Sequence, residues 1–199
     1  MPNRVYLLRG NHETKLCTTM YGFEQEVKTK FGEEGEMVYQ KCLECFKELP
    51  LASIISNSVY TTHGGLFRST RVGPVRRSKR KRAQNLELGS LEELSKVERF
   101  LIDPPDGGPS ILADILWSDP SKEDGLVENA DKQRGLSWGP DCTETFLKEY
   151  KLKVKFNIIC SLIFCSCSFA LFLRHYCITF LALYGGFCLC YSSFDCIII

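Results

Sequence analysis

The chain has 199 residues, 44% of them hydrophobic, which is enough for one domain with a substantial apolar core. It carries 25 basic and 24 acidic side chains, and the formal net charge of +1 excludes a general electrostatic preference for nucleic acids or acidic partners. Of the 11 cysteines, 4 lie within the first 153 residues, at a spacing that favours reduced thiols over a disulfide framework: Cys17, Cys42, Cys45 and Cys142.

The first predicted element is a short strand in the stretch RVYLLRGNHE, which runs into a polar Gly-Asn-His-Glu turn. The segment from Thr14 to Pro50 predicts two helices joined near Gly32. No second cysteine pair completes a zinc site with the CxxC of the second helix, so we interpret those cysteines as helix-face residues. The predicted apolar faces comprise Leu16, Met20 and Phe23 in the first helix, and Val38, Cys42, Cys45 and Phe46 in the second.

The stretch LASIISNSVYTTHGG predicts a β-hairpin, with strands through residues 54–55 and 59–62 and a turn at residues 57–58. Its second strand runs into His63 just as the opening strand runs into His12, and the chain has only 3 histidines. Glycines at positions 10, 64 and 65 allow sharp turns and the close approach of a ligand. A turn explains one such histidine, whereas two at equivalent strand ends favour a functional site.

The next stretch, VGPVRRSKRKRAQ, predicts an exposed insertion, because so dense a block of like charges repels itself. Three interpretations are open: a solvated loop, a nuclear localisation signal or other patch for an anionic partner, and a calmodulin-type target. The last has the least support, since apolar anchors are scarce before Leu86 and Leu88. The basic residues are Arg76, Arg77, Lys79, Arg80, Lys81 and Arg82.

Three further elements follow the insertion. SLEELSKVERFL predicts a short helix capped by Ser90 with Glu93 at its third position. After the turn-rich PPDGGPS, the stretch ILADILWSDP predicts a buried segment that ends in an acidic turn, and a charged loop then leads to an Arg-Gly pair at residues 134–135. DCTETFLKEYKLK predicts an amphipathic helix whose apolar face contains Phe146, Leu147 and Tyr150.

The motifs LLRGNHE, HGG, ILWSDP and QRG, in this order and spacing, resemble those of the phosphoprotein phosphatase family of serine/threonine phosphatases. The basic insertion most resembles a plant subfamily. The resemblance implies an α/β (α+β) fold of the metallophosphoesterase type, with a central β-sandwich flanked by helices. It covers residues 1–152, with the insertion at about residues 72–90, and leaves residues 153–199 as a separate hydrophobic tail.

The resemblance also assigns roles to individual residues around two divalent metal ions, which would be manganese, iron or zinc. Asn11 and His63 would be metal ligands, His12 would be the general acid, and Arg134 would bind the phosphate. Trp117 and Asp119 would support the site. These residue types suit the chemistry, because a metal pair activates water, an imidazolium protonates the leaving oxygen, and the planar guanidinium matches two phosphate oxygens.

Several motifs of the family are not found in this sequence. An Asp-x-His motif and a Gly-Asp-x-x-Asp-Arg-Gly motif would precede the opening strand, and a further histidine ligand would follow the last helix. We therefore expect Met1 to be an internal methionine of a longer protein. The alternative to an active phosphatase is a catalytically incompetent fragment that acts at most as a binding or membrane-anchored module.

The tail beyond residue 153 holds the other 7 cysteines and His175, to which we assign no role. It could be a membrane anchor, because Phe156 to Leu173 approaches the ~20 apolar residues that a spanning helix needs and lysines precede it. It could instead be a translated intron, since its residues match thymine-rich codons and Val-Lys-Phe can be encoded by a splice-donor-like GTAAAGTTT. We favour the intron.

Partners and location follow from these hypotheses. We expect phosphoprotein substrates, an importin or a calmodulin-like partner at the basic insertion, and no specific nucleic acid. The expected location is the nucleus, the cytoplasm or both. If the tail is genuine, the alternative is a membrane location through residues 156–194.

Overall fold

The computed structural model describes residues 5–71, 86–105, 108–129, 134–157, 179–182, 188–191 and 196–199. The chain begins with the predicted strand, β1 (Val5–Leu8), and continues into helices α1 (Lys15–Met20), α2 (Phe23–Phe31) and α3 (Gly35–Glu48), with a 3-10 turn at Gly32–Glu34. The prediction of two helices was therefore wrong. The chain is also divided at Gly22, whose φ of +87° lies in the left-handed region and breaks the first helix.

The predicted apolar faces of these helices need correction as well. In α3 the buried side chains are Tyr39, Leu43 and Phe46, so Cys45 is exposed on the other side of the helix. Met20 of α1 is 66% exposed, because this short helix packs through Cys17 and Thr18 instead. Phe46 is buried as predicted, and Phe23, Val38 and Cys42 pack partly buried against the same cluster. The predicted faces are therefore wrong only at Leu16, Met20 and Cys45.

The predicted hairpin is confirmed. Strands β2 (Ala52–Ile55) and β3 (Val59–Thr62) pair in antiparallel fashion, with Ala52 opposite Thr62, and the turn between them contains two residues with φ of +49°. Strand β7 (Val154–Asn157) adds to β3 in parallel, and β10 (Cys196–Ile198) adds to β2. The hairpin therefore lies in the middle of a sheet of order β10-β2-β3-β7, with His63 directly after β3.

The predicted capped helix is also confirmed, since Ser90 and Glu93 form a reciprocal capping box at the start of α4 (Leu91–Ser95). The remaining elements are α5 (Ile111–Trp117), β4 (Asp119–Pro120), β5 (Leu126–Glu128), β6 (Leu136–Trp138), α6 (Pro140–Glu149), β8 (Thr179–Ala182) and β9 (Cys188–Tyr191). The described strands form two more sheets, of order β1-β9-β8 and β4-β6-β5.

The main hydrophobic core joins the central hairpin to α5 and α6. Phe146 of α6 is fully buried and packs against Tyr60 of β3, with ring centroids 5.0 Å apart. Ile115 and Leu116 of α5 belong to the same cluster and are also fully buried. Each such side chain contributes about 1.5–3 kcal/mol by leaving water, so this core fixes α5 against the strand that ends at His63.

Some predictions fall on residues outside the described ranges. They concern the basic side chains of the insertion, most of the proposed membrane segment, and His175. Within the part of the chain that the structure describes, no helix combines the length and apolar character needed to cross a membrane.

Candidate functional site

The two predicted metal ligands lie in contact at the ends of two strands. Asn11 belongs to the turn that follows β1, and His63 follows β3 directly. The Asn11 Oδ1 atom lies 2.9 Å from Nε2 of His63, whose side chain is almost fully buried. An amide oxygen and an imidazole nitrogen are ligands that suit manganese, iron or zinc.

These two donors fit as part of a metal site and do not complete one. Among the described residues, no group of three or more His, Cys, Asp or Glu side chains is arranged to hold a metal ion. The ligand roles of Asn11 and His63 therefore stay predictions, supported by the convergence of the two donor atoms.

His12 lies beside Asn11 in the same turn. Its ring stacks on the ring of Tyr21, with centroids 5.0 Å apart and planes 19° from parallel. Tyr21 is 64% exposed, so the stacked pair lies at the protein surface, where a substrate could reach it. The sequence interpretation missed Tyr21, because nothing in the local sequence indicates that a tyrosine at the end of α1 will stack on a histidine before that helix.

The turn that carries Asn11 and His12 is closed by its own hydrogen bonds. The Glu13 carboxylate accepts from the Gly10 amide at 2.9 Å, and the Glu13 amide donates to the Gly10 carbonyl at 3.2 Å. Burial raises the pKa of Glu13 to about 7, because desolvation outweighs the hydrogen bond from Gly10. Thr14 then caps α1 through its hydroxyl, which also donates to the Asn11 carbonyl at 2.7 Å.

The HGG segment is packed tightly against the end of α5. The Gly64 amide donates to the carbonyl of Ile115 at 2.8 Å, and a Cβ atom at Gly64 would lie 2.6 Å from that oxygen. Gly65 packs against the indole of Trp138 in β6. Glycine is required here because backbone and indole approach too closely for any side chain. This contact holds His63 beside the segment that begins with Trp117.

The WSDP segment in turn supports the loop that carries Arg134. Gly135 has a φ of +72°, and a Cβ atom there would lie 2.6 Å from the carbonyl carbon of Trp117. The Leu136 amide donates to the Ser118 hydroxyl at 2.9 Å. The three motifs HGG, WSDP and RG therefore form a continuous chain of backbone contacts. The supporting role of Trp117 stays a prediction.

Two further observations concern Asp119 and Arg134. Asp119 Oδ2 accepts from the side-chain amide of Asn129 at 3.0 Å, which ties the WSDP segment to the end of β5. Burial raises the pKa of the Cys17 thiol in α1, and the charge of Arg134 opposes that rise. Arg134 thus lies within electrostatic range of the helix that follows the Asn11–His12 turn.

A buried ion pair that the sequence interpretation missed locks the HGG segment to α5. Arg68, four residues after Gly64, donates to both carboxylate oxygens of Asp114, with Nε–Oδ2 at 2.8 Å and Nη2–Oδ1 at 3.0 Å. The Arg68 amide donates to the same carboxylate at 3.0 Å, and Nη1 reaches Glu128 at 3.2 Å. No local pattern links residues 46 positions apart, so this pair could be found only in three dimensions.

Comparisons with known proteins identify the family to which the chain belongs. The family model of the calcineurin-like phosphoesterases matches residues 1–161, and the chain belongs to that family. Its sequence is 55% identical over 165 residues to serine/threonine-protein phosphatase 7 of Arabidopsis thaliana, which covers 77% of this chain and 40% of the relative. The predicted resemblance to phosphoprotein phosphatases, and to a plant subfamily among them, is confirmed.

More distant relatives extend the similarity. Serine/threonine-protein phosphatase 5 of Homo sapiens is 39% identical over 153 residues, covering 76% of this chain and 26% of the relative. A solved Saccharomyces cerevisiae protein serine/threonine phosphatase with similarity to human phosphatase PP5 is 30% identical, with a TM-score of 0.57 over 76% of this chain and 40% of that chain. The predicted fold class is thereby confirmed. The chain spans less than half the length of each of these proteins.

Proposed function

We propose that this chain carries part of the catalytic site of a protein serine/threonine phosphatase, which hydrolyses phosphoserine and phosphothreonine at a dinuclear metal centre. The observation that carries this proposal is the 2.9 Å approach of Asn11 and His63 beside His12, at the ends of two strands. The names of the relatives support the reaction class.

Each residue has a distinct task in this reaction. Asn11 and His63 would hold a divalent ion (manganese, iron or zinc), and that ion would supply positive charge and lower the pKa of a water molecule. His12 donates a proton to the leaving oxygen of serine or threonine, which accelerates such a step by about 10²–10⁴. Arg134 binds two oxygens of the phosphate through its planar guanidinium.

The expected partners extend the same proposal. Phosphoproteins are the substrates, and the basic insertion at residues 76–82 serves as a nuclear localisation signal or binds an importin or a calmodulin-like protein. The protein then acts in the nucleus, the cytoplasm or both, or at a membrane through residues 156–194. These statements rest on the sequence.

The first experiment measures metal content and activity on the same purified chain. After incubation with Mn²⁺ and dialysis, we expect metal bound through Asn11 and His63, measured by mass spectrometry of the metals. Close to two ions per chain, together with hydrolysis of a phosphothreonine peptide, would show a complete dinuclear centre. His63→Ala should lower both. His175→Ala is the matched control, because it removes a histidine with no assigned role.

Two results would contradict the proposal in different ways. Metal-free wild-type protein without hydrolysis would favour the alternative of an incompetent binding module. Equal metal loss in the His63→Ala and His175→Ala variants would show that His63 has no special part in metal binding.

A further inference from the structure

Arg9, the residue between β1 and the Asn11–His12 turn, is fully buried together with its charge. Its Nε atom donates to the Glu13 carbonyl at 3.0 Å, and Nη1 donates to the carbonyls of Arg99 and Leu101 at 2.9 and 2.8 Å. Nη2 donates to the carbonyl of Ile102 at 2.7 Å. A buried charge is costly unless it is well solvated by the protein, and here four carbonyl dipoles replace water.

The Arg9 side chain holds one end of the turn, and the Glu13 side chain holds the other end. Arg9 fixes the Glu13 carbonyl, while the Glu13 carboxylate fixes the amide of Gly10 at 2.9 Å. Asn11 and His12 lie between the two fixed points. Their backbone is therefore held at both ends by buried hydrogen bonds that do not involve their own side chains.

Three of the four carbonyls that bind the Arg9 guanidinium belong to residues 99–103, and this segment is hydrogen-bonded to two helices. Asp103 Oδ1 accepts from the amide of Leu16 in α1 at 2.9 Å. The Arg99 side chain donates to the carbonyl of Glu48 at the end of α3, at 2.7 Å. Residues 99–103 therefore form a fixed support, and Arg9 is the side chain that ties the turn to it.

We propose that Arg9 is a positioning residue for the candidate metal site, acting through Glu13 and the support formed by residues 99–103. It keeps Asn11 facing His63. The expected effect on metal affinity rests on the proposed function, whereas the expected effect on the turn does not. Lysine cannot replace arginine here, because one ammonium group cannot reach carbonyls spread around a planar fork.

The test compares Arg9→Lys, which keeps the charge, with Val59→Ala, which removes buried apolar atoms at the far end of β3. The first readout is hydrogen–deuterium exchange of the Gly10 amide relative to the amides of β2 and β3. We expect Arg9→Lys to speed Gly10 exchange at least about tenfold relative to that reference, since it frees one end of the turn. Val59→Ala should leave the ratio unchanged.

The second readout is Mn²⁺ affinity, measured by electron paramagnetic resonance well below the unfolding midpoint of each variant. We expect about 10–100-fold weaker binding in Arg9→Lys, as is typical when a residue that orients a ligand is lost. Val59→Ala should bind as the wild type does. If Arg9→Lys does not fold, Arg99→Ala frees residues 99–103 from the end of α3 and should speed Gly10 exchange relative to the strand amides in the same direction.

The outcomes separate this inference from the proposed function. Gly10 exchange that rises only in proportion to the strand amides would overturn the positioning role and leave a general structural one. If the wild type binds no Mn²⁺ while the exchange ratio still rises, Arg9 positions the turn and the proposed metal chemistry is wrong.

Discussion

At the residue scale, Asn11 and His12 are neighbours in sequence with different tasks. The amide oxygen of Asn11 meets the imidazole of His63 at 2.9 Å, whereas the ring of His12 stacks on Tyr21 at the surface. The side chains of consecutive residues in a turn can point in different directions. The turn after β1 thereby separates a candidate metal ligand, Asn11, from a candidate proton donor, His12.

We expect His12→Asn to lower kcat by about 10²–10⁴ while metal content stays at the wild-type level, because only the proton donor is lost. Phosphopeptide kinetics combined with metal analysis measure both quantities. A matching fall in metal content would assign His12 to metal binding, contrary to the role given above.

At the element scale, glycines and a buried ion pair fix the motif-bearing segments against one another. Gly64 contacts α5, Gly135 contacts the last residue of α5, and Arg68 pairs with Asp114 within α5. Helix α5 thus connects the loop after His63 with the loop of Arg134, although neither of its ends carries a predicted ligand.

Gly64→Ala should destabilise the fold by about 1–3 kcal/mol, since its methyl group would lie 2.6 Å from a backbone oxygen and the backbone must move. Urea unfolding monitored by tryptophan fluorescence measures this. Gly108→Ala is the control, because nothing lies within 4 Å of its added methyl group. Equal effects of the two substitutions would show that the close approach at Gly64 is not a constraint.

The Glu93 carboxylate in the capping box of α4 makes the free energy of unfolding depend on pH in the acid range. Partial burial raises the pKa of Glu93, but hydrogen bonds from the Ser90 backbone, Ser69 and Thr70 outweigh it and lower the pKa to about 2. A depressed carboxyl pKa stabilises the fold above the unfolded value of about 4.5, and this contribution is lost as the pH falls from there toward 2.

Glu93→Gln should therefore flatten the acid side of the stability curve. Between pH 6 and pH 3 we expect the wild type to lose about 1–2 kcal/mol more than the variant, after a discount for partial exposure. Chemical denaturation at a series of pH values gives the two curves. Parallel curves would exclude Glu93 as the source of the acid dependence.

At the scale of the whole molecule, metal binding should be linked to folding, because the side chains of the candidate ligands follow two different strands and meet only in the native state. Asn11 and His63 are 52 positions apart in the chain. A ligand that binds the folded state alone stabilises it by mass action, by about 2.7 kcal/mol at a hundredfold excess over Kd.

Mn²⁺ at such an excess should raise the Tm of the wild type by about 5–10 °C, given the usual shift per kcal/mol for a chain of this size. The Tm of His63→Ala should not respond. Differential scanning calorimetry with and without Mn²⁺ compares the two proteins. A similar rise in both would indicate binding elsewhere, for example at cysteines.

Features that are set by short-range geometry could be predicted from the sequence. The opening strand, the β2–β3 hairpin and the capping box at Ser90 depend on neighbouring residues, so local patterns predicted them. The motif spacing also identified the family and the candidate residues Asn11, His12 and His63.

The full set of buried helix positions and the contacts between distant groups are visible only in the folded chain. Cys45 is exposed although the helical periodicity placed it on the same apolar face as Phe46. The left-handed residue Gly22 divides a segment whose periodicity predicted one helix. Arg9 meets Leu101 at a separation of 92 positions, and Arg68 meets Asp114 at 46. Such contacts form because a buried charge must find partners, and where those partners lie depends on the packing of the whole chain.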